Sequence, residues 1–424
     1  MENELKLSTP VDLWDSDLAF LSKKELEDRW NYYSRLLREH TNKSSTAPHK
    51  LAYWNSNLGM IRLLIGYPEE AIKYFIASLK LYRNVGDRGG ECAVLGNLGI
   101  AYSQLGKPRK AIQYYEKALG LANEIGDSFR IGNFLGNLGV EYRQLGEPKK
   151  AISYYNIGLK TAKEVEDKRG ECIYFGNLGN AFLDLGDARK AIFYHEEALK
   201  IAKEIKARRG EGTCLGNLGN SYLQLGEIRK AISFYEAAFN ISEEVGDLRG
   251  KRNHIGNLGN AFLRLGEIRK AISFYEAAFN ISKEIGDLRG EGNSLKNLGD
   301  ASIQLGEIRK AIQYYKKALE IAIKSGDRKG LGEILGNLGS EYRNLGESKK
   351  VFSSYEEALK ISKEMGDQRL EGLVLGNLGL AYIHLGKSER AIQCLEECLD
   401  IGRKIKAPDI IGFCEHYLNI LQNN

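Results

Sequence analysis

The sequence predicts an all-α protein, a right-handed α-solenoid of nine helix-turn-helix repeats. Three observations predict it. The string Asn-Leu-Gly returns every 40 residues without a slip, at Asn57, Asn97, Asn137, Asn177, Asn217, Asn257, Asn297, Asn337 and Asn377. Around each copy, apolar residues recur at spacings of 3, 4 and 7, which puts them on one face of a helix. A Leu-Gly turn separates two such stretches, with Ile65-Gly66 in its place in the first repeat. A repeat of this kind buries its apolar face only against its neighbours, so dividing 424 residues into ordinary globular domains would mislead.

Residues 92–131 serve as the reference repeat, with Cys92 as position 1. Asn, Leu and Gly then hold positions 6, 7 and 8, and an aromatic holds position 11 in most repeats (Tyr102, Tyr142, Phe182, Tyr222, Phe262, Tyr342, Tyr382). Leu-Gly follows at 14 and 15, Ala-Ile at 20 and 21, an aromatic at 24 and Ala-Leu at 27 and 28. These positions describe a helix A near 89–104, a turn at Leu105-Gly106 and a helix B near 108–125. Gly106 suits the left-handed residue that ends a helix. Pro68, Pro108 and Pro148 suit a first turn that needs no N–H. Helix B stops at Gly-Asp, and the Asp can cap the next helix A. Gly99 and its equivalents lie inside helix A, where glycine costs roughly 1 kcal/mol against alanine. Such a cost in every repeat implies close approach of helix B, expected against Ala111 and Ala118.

Leu98-Gly99-x-x-Tyr102, Gly106, Ala111, Tyr115 and Ala118 together resemble the tetratricopeptide signature, and the resemblance covers residues 49–407. The repeat is six residues longer than the usual 34, and the closing proline is absent. In this form it resembles the Pins/LGN family, kinesin light chains and bacterial tetratricopeptide arrays. The resemblance implies a concave surface lined by helix A that holds an extended or helical peptide of a partner protein.

Both ends depart from the period. Residues 1–48 contain an amphipathic stretch at 23–40 with Leu26, Trp30, Tyr33 and Leu37 on one face, then the linker TNKSSTAP; this segment is expected to cap the first repeat. Residues 408–424 read as a tenth helix A that closes the array, with Tyr417-Leu418 where Asn-Leu would fall. Repeat 7 has Ser302 for the position-11 aromatic, and repeat 8 has Val351-Phe352 for Ala-Ile; both should pack less well.

Positions 2, 6, 9 and 13 fall on one stripe of helix A. Position 6 is a column of amides, each offering donors and an acceptor to a peptide backbone. The expected partner-binding residues are Asn97, Asn137, Asn177, Asn217, Asn257, Asn297 and Asn337, joined by Asn180, Asn220, Asn260, Gln224 and Arg264. The stripe begins apolar, with Met60, Ile100, Val140 and Leu64, and turns amide-rich in the middle. The rival role for the asparagines is to tie each helix A to the next repeat. A basic ladder opens helix B, as in Arg109-Lys110, Lys149-Lys150, Arg189-Lys190, Arg229-Lys230, Arg269-Lys270 and Arg309-Lys310; nearby glutamates offset it, and no aromatic platform was evident between these pairs.

Net charge is +5 from 61 basic and 56 acidic residues, too mild to indicate nucleic acid. No run of 18 apolar residues occurs and the start, MENELKLSTPVDLWDS, lacks an apolar core, so a membrane span and secretion are not expected; the chain reads as cytoplasmic. The six cysteines show no zinc-type spacing, and Cys398 falls where other repeats place Ala or Ser, so buried thiols are expected in preference to a metal site. No phosphate loop is present, and the six histidines lack metal-type spacing. The expectation is therefore a non-enzymatic scaffold with no cofactor, binding a protein or peptide in its groove. A sensor controlling an effector domain or partner, and a nucleic-acid-binding solenoid using the basic ladder, are the alternatives.

Overall fold

The computed structural model describes residues 23–41, 47–325, 327–344, 348–364, 368–405 and 407–422. Trp14, the acidic start and linker residues 42–46 lie outside them. Among the described residues every regular element is an α-helix. The chain divides into two compact units, Met1–Gly226 and Glu227–Asn424.

The first unit contains α1 (Lys23–His40), α2 (Pro48–Leu64), α3 (Pro68–Val85), α4 (Arg88–Gln104), α5 (Pro108–Ile125), α6 (Ser128–Gln144), α7 (Pro148–Glu164), α8 (Lys168–Asp184), α9 (Ala188–Glu204) and α10 (Arg208–Leu225). The second contains α11 (Ile228–Glu244), α12 (Leu248–Arg264), α13 (Ile268–Glu284), α14 (Leu288–Gln304), α15 (Ile308–Ser325), α16 (Arg328–Asn344), α17 (Ser348–Glu364), α18 (Gln368–His384), α19 (Ser388–Lys404) and α20 (Pro408–Gln422). From α2 onward, even-numbered helices are helix A and odd-numbered ones helix B. Within each unit a helix packs on its sequence neighbours, and A helices also touch one another, as α6 does α8, α8 does α10 and α16 does α18. That contact sets the A helices side by side in one layer.

Local chemistry sets the boundaries. Gly106 and Gly126 adopt φ of 64° and 73°, the left-handed conformation expected at helix ends. Glu166 and Lys206 hold the same conformation at φ 56° without being glycine. Asp127 caps α6 by accepting from the Arg130 N–H at 3.0 Å, and Asp287 caps α14 by accepting from Gly290 at 3.0 Å.

The glycine inside helix A makes room for a ring. A Cβ on Gly99 would stand 2.4 Å from Tyr115, and one on Gly259 would stand 2.5 Å from Tyr275. Ala111 and Ala118 are fully buried, but the notch is filled by the position-24 aromatic and not by them. Alanine cannot reach across the gap; a tyrosine ring can.

The irregular repeats differ in outcome. In repeat 6, Phe262 stacks on Phe274 at 5.3 Å. In repeat 7 the equivalent Ser302 is 1% exposed and its hydroxyl has no hydrogen-bond partner, which is a poorer contact as expected. In repeat 8, by contrast, Phe352 finds a partner: it stacks on Tyr382 of the following repeat at 4.5 Å.

At the start, Leu26, Trp30 and Tyr33 of α1 pack on Met60, Ile61 and Leu64 of α2 and on Ile65 just after it. Repeat 1 has Arg62 at position 11, and the guanidinium lies 3.7 Å from the centre of the Trp30 ring. Trp30 also meets Tyr74 edge-on at 5.5 Å, so α1 supplies the ring that this repeat lacks. At the other end Ile410, Cys414 and Leu418 of α20 are buried against Leu395, Cys398 and Leu399.

Candidate functional site

The asparagine column is not uniform. In the first unit Asn57 and Asn97 are 1% and 2% exposed, whereas Asn137, Asn177 and Asn217 are half-buried. In the second unit Asn257, Asn297, Asn337 and Asn377 are half-buried. Half-burial suits groups that hold their geometry and still present polar atoms to a ligand. Asn97 has no such access, and its Nδ2 makes no hydrogen bond among the described residues. The cause lies one repeat earlier. Asn337 donates from Nδ2 to Asp300 Oδ1 at 3.0 Å, reaching position 9 of the preceding repeat, and the residue at that place before Asn97 is the thioether Met60. The same bond shows that at Asn337 the rival role, a tie between repeats, is realised.

Position 9 carries the polar groups beside the column. Asn180 and Asn220 in the first unit and Asn260 and Asp300 in the second are half-buried. The Tyr275 hydroxyl donates to Asn260 Oδ1 at 2.7 Å, and the Tyr315 hydroxyl donates to Asp300 at 2.6 Å. The ring that fills the glycine notch thus also orients the position-9 side chain. Burial raises the Asp300 carboxyl above the ordinary carboxylate range, while the Tyr315 hydrogen bond works in the opposite sense. Positions 2 and 13 flank the stripe: Thr213 and Asn253 at position 2 are exposed, as are Gln224 and Arg264 at position 13. Gln224 Nε2 donates to the Leu183 carbonyl at 3.1 Å.

The apolar start of the stripe is already covered. Met60 is fully buried and Leu64 half-buried beneath α1, so this part of the stripe holds the chain's own helix.

Repeat 4 carries a histidine where most repeats have tyrosine. His195 is fully buried, with Nε2 3.2 Å from the Gly176 carbonyl and Nδ1 2.9 Å from the Ser221 hydroxyl. A carbonyl only accepts, so Nε2 carries the proton, while the Ser221 hydroxyl lies 2.9 Å from Nδ1 and 2.9 Å from the Asn217 carbonyl. Burial pushes the pKa from 6.5 down to about 4. The unfolded chain therefore binds the extra proton first. The stability associated with neutral His195 is complete above about pH 6.5 and is lost as pH falls towards 4, by an amount on the order of 3 kcal/mol. His195→Tyr should lose that part of the acid sensitivity in urea titrations at pH 7, 5.5 and 4. Parallel pH profiles for parent and variant would exclude His195 as its source.

The basic ladder is tied down. Lys190 pairs with Asp187 at 3.1 Å, Lys270 with Glu267 at 3.2 Å and Lys310 with Glu307 at 3.2 Å. The ladder does lie on aromatic rings, contrary to the expectation from sequence. Lys110 sits 5.4 Å from the centre of the Tyr102 ring, and Lys270 sits 4.3 Å from that of Phe262. The rings belong to position 11, eight residues before the lysine and on the other side of the turn, and only helix pairing brings them under the lysines. Each stacks on helix B, as Tyr102 does on Tyr114 at 5.2 Å.

A cavity of about 220 Å³ in the second unit has no direct sign in the sequence. It is lined by Gly336 and Ser340 of α16, Phe352 and Tyr355 of α17, and Leu380 and His384 of α18, with Asn377 of the amide column beside it. Here position 9 is the short Ser340, and the Tyr355 hydroxyl donates to the Leu335 carbonyl at 2.9 Å. Two departures from the repeat, Ser340 and Phe352, were the available signal. Among the described residues no group of three or more His, Cys, Asp or Glu side chains could hold a metal ion. No helix there is long and apolar enough to cross a membrane.

Paired antiparallel helices in register, with an amide column along one layer, define a helical-repeat protein. The tetratricopeptide repeat family model matches residues 50–124, 130–204, 171–244, 210–284, 252–324, 290–364 and 330–404, and the chain belongs to that family. A search of curated proteins finds no match. Among solved structures, the apo form of the quorum sensor NprR from B. thuringiensis is 16% identical over 71% of this chain and 82% of its own, with a TM-score of 0.57. A Rap protein complexed with Competence and Sporulation Factor is 14% identical, covering 82% and 99%, with a TM-score of 0.55. Aspartyl phosphate phosphatase F from Bacillus subtilis is 18% identical, covering 82% and 94%, with a TM-score of 0.51. At these identities the likeness is one of fold.

Proposed function

We propose that this chain is a non-enzymatic protein-interaction scaffold that binds an extended peptide or protein segment along its helix A stripe. One observation carries the reading: the half-buried amides of Asn137, Asn177 and Asn217 in one unit, and of Asn257, Asn297 and Asn337 in the other, stand beside exposed polar residues at positions 2 and 13. Asn180, Asn220, Asn260, Gln224 and Arg264 complete the contact set, and the enclosed Asn97 is left out of it. We assign α1 and α20 as the end caps, since each buries apolar side chains against the terminal repeat.

A hydrogen bond from a side-chain amide to a peptide backbone is worth about 0.5–1.5 kcal/mol net. Asn217→Ala with Asn257→Ala should therefore weaken partner binding about tenfold or more, at little cost in stability. Lys230→Ala with Lys270→Ala should change binding little, because these lysines pair with Glu227 and Glu267 of their own repeats. Isothermal titration and thermal melting on the same double mutant separate the two roles of asparagine. A lowered melting temperature with affinity intact would leave the asparagines as ties between repeats. The likeness to the quorum sensor NprR and to the Rap protein complexed with Competence and Sporulation Factor favours, as a second reading, a sensor whose peptide occupies the same stripe.

A further inference from the structure

The cavity beside α16 and the carboxylate next to it have chemistries that differ from the rest of the stripe. The cavity holds about 220 Å³. An apolar cavity of roughly 150 Å³ already accepts a benzene ring. Phe352, Leu380 and the Tyr355 ring give it apolar walls, while Asn377 and His384 supply polar groups at its edge. One helix away, Asp300 is the only charged residue at position 9 in the nine repeats. It accepts from two neutral donors, Tyr315 and Asn337. The charges that act on its carboxyl are Lys296 and Glu333, which pair with each other at 2.7 Å. Two acids and one base leave this patch with a net negative charge. Asn337 joins the two features, since it bonds Asp300 and is flanked by Gly336 of the cavity wall.

We propose that this part of the second unit is a two-point specificity site for the peptide: an aromatic or leucine side chain fills the cavity, and a lysine or arginine pairs with Asp300. The inference rests on the peptide-binding reading above and names the class of peptide. Neighbouring packed helices lie about 8–10 Å apart. An extended peptide advances about 3.3 Å per residue, so the cation and the apolar anchor should be about three residues apart.

The test pans random dodecapeptides displayed on phage against the full chain, then measures synthetic copies of enriched peptides by fluorescence polarisation. The expected consensus is a basic residue about three positions from Phe, Tyr or Leu. Ser340→Phe, which puts a ring into the cavity, should weaken such a peptide about tenfold, equivalent to ~1.4 kcal/mol. It should have little effect on the same peptide with Ala at the anchor. Asp300→Asn should weaken the basic peptide and not its Gln-substituted form. Ser340→Leu replaces Ser340→Phe if the latter lowers the melting temperature. Peptides that respond to Asn217→Ala with Asn257→Ala, but to neither Ser340 nor Asp300 variants, would overturn the two-point site and leave the scaffold reading standing. A library that yields no binder, or binders indifferent to every one of these variants, would overturn both.

Discussion

Deleting residues 252–291 should leave a folded chain shorter by one helical pair. The cut removes one whole period, so Lys251 joins Gly292 in the register that Arg252 occupied, and α12's role passes to α14. Stability in such arrays is close to a sum of repeat and interface terms, so loss of an internal repeat removes one of each. Deleting 252–271 instead removes helix A and the start of helix B. The remaining part of α13 would then present Tyr275 with no Gly259 notch to receive it, and its neighbours would lose their partner layer. Far-UV circular dichroism should show helicity per residue kept by the first deletion and reduced by the second. The second should also have a melting transition lower by many degrees. Equal behaviour of the two would mean that the 40-residue phase is not the structural period.

The largest expected point effect is at the notch itself. A Cβ on Gly259 would sit 2.5 Å from Tyr275, and the ring is 1% exposed with little room to retreat. Gly259→Leu should destabilise the protein by about 1–3 kcal/mol as an overpacked contact. The loss of glycine's helix penalty works the other way, but returns only about 1 kcal/mol. Tyr275→Ala in the same background should recover part of the loss by vacating the space, at the expense of a cavity of its own. The measurement is the urea midpoint of the single and double variants. A midpoint for Gly259→Leu equal to the parent's would show that the glycine is not a packing device.

The period, the helix pairing and the caps were legible because each rests on local chemistry: Asp127 bonds a residue three positions away, and Gly126 needs only its own φ. The stripe was legible for the same reason, since helical spacing alone sets which side chains share a face. What remained hidden depends on contacts between distant segments. The partner of Gly99 could not be told from its spacing, because alanine and tyrosine both lie on the facing side of helix B. The missing acceptor for Asn97 follows from Met60, which stands in the preceding repeat where Asn337 finds Asp300. The cover over Met60 comes from α1, outside the period altogether. The cavity required the absence of a large side chain at Ser340 and the turn of Tyr355 towards Leu335, neither of which a single helix reveals.

The docking of α1 through Trp30 has a spectroscopic consequence. The protein's three tryptophans are Trp14, Trp30 and Trp54, so the indoles of α1 and α2 report on the first repeat and none lies in the second unit. Indole emission in this molecule is a regional signal, whereas dichroism at 222 nm averages over every helix. Coincidence of the two unfolding curves is therefore a direct measure of how far cooperativity extends along the array, with no label attached.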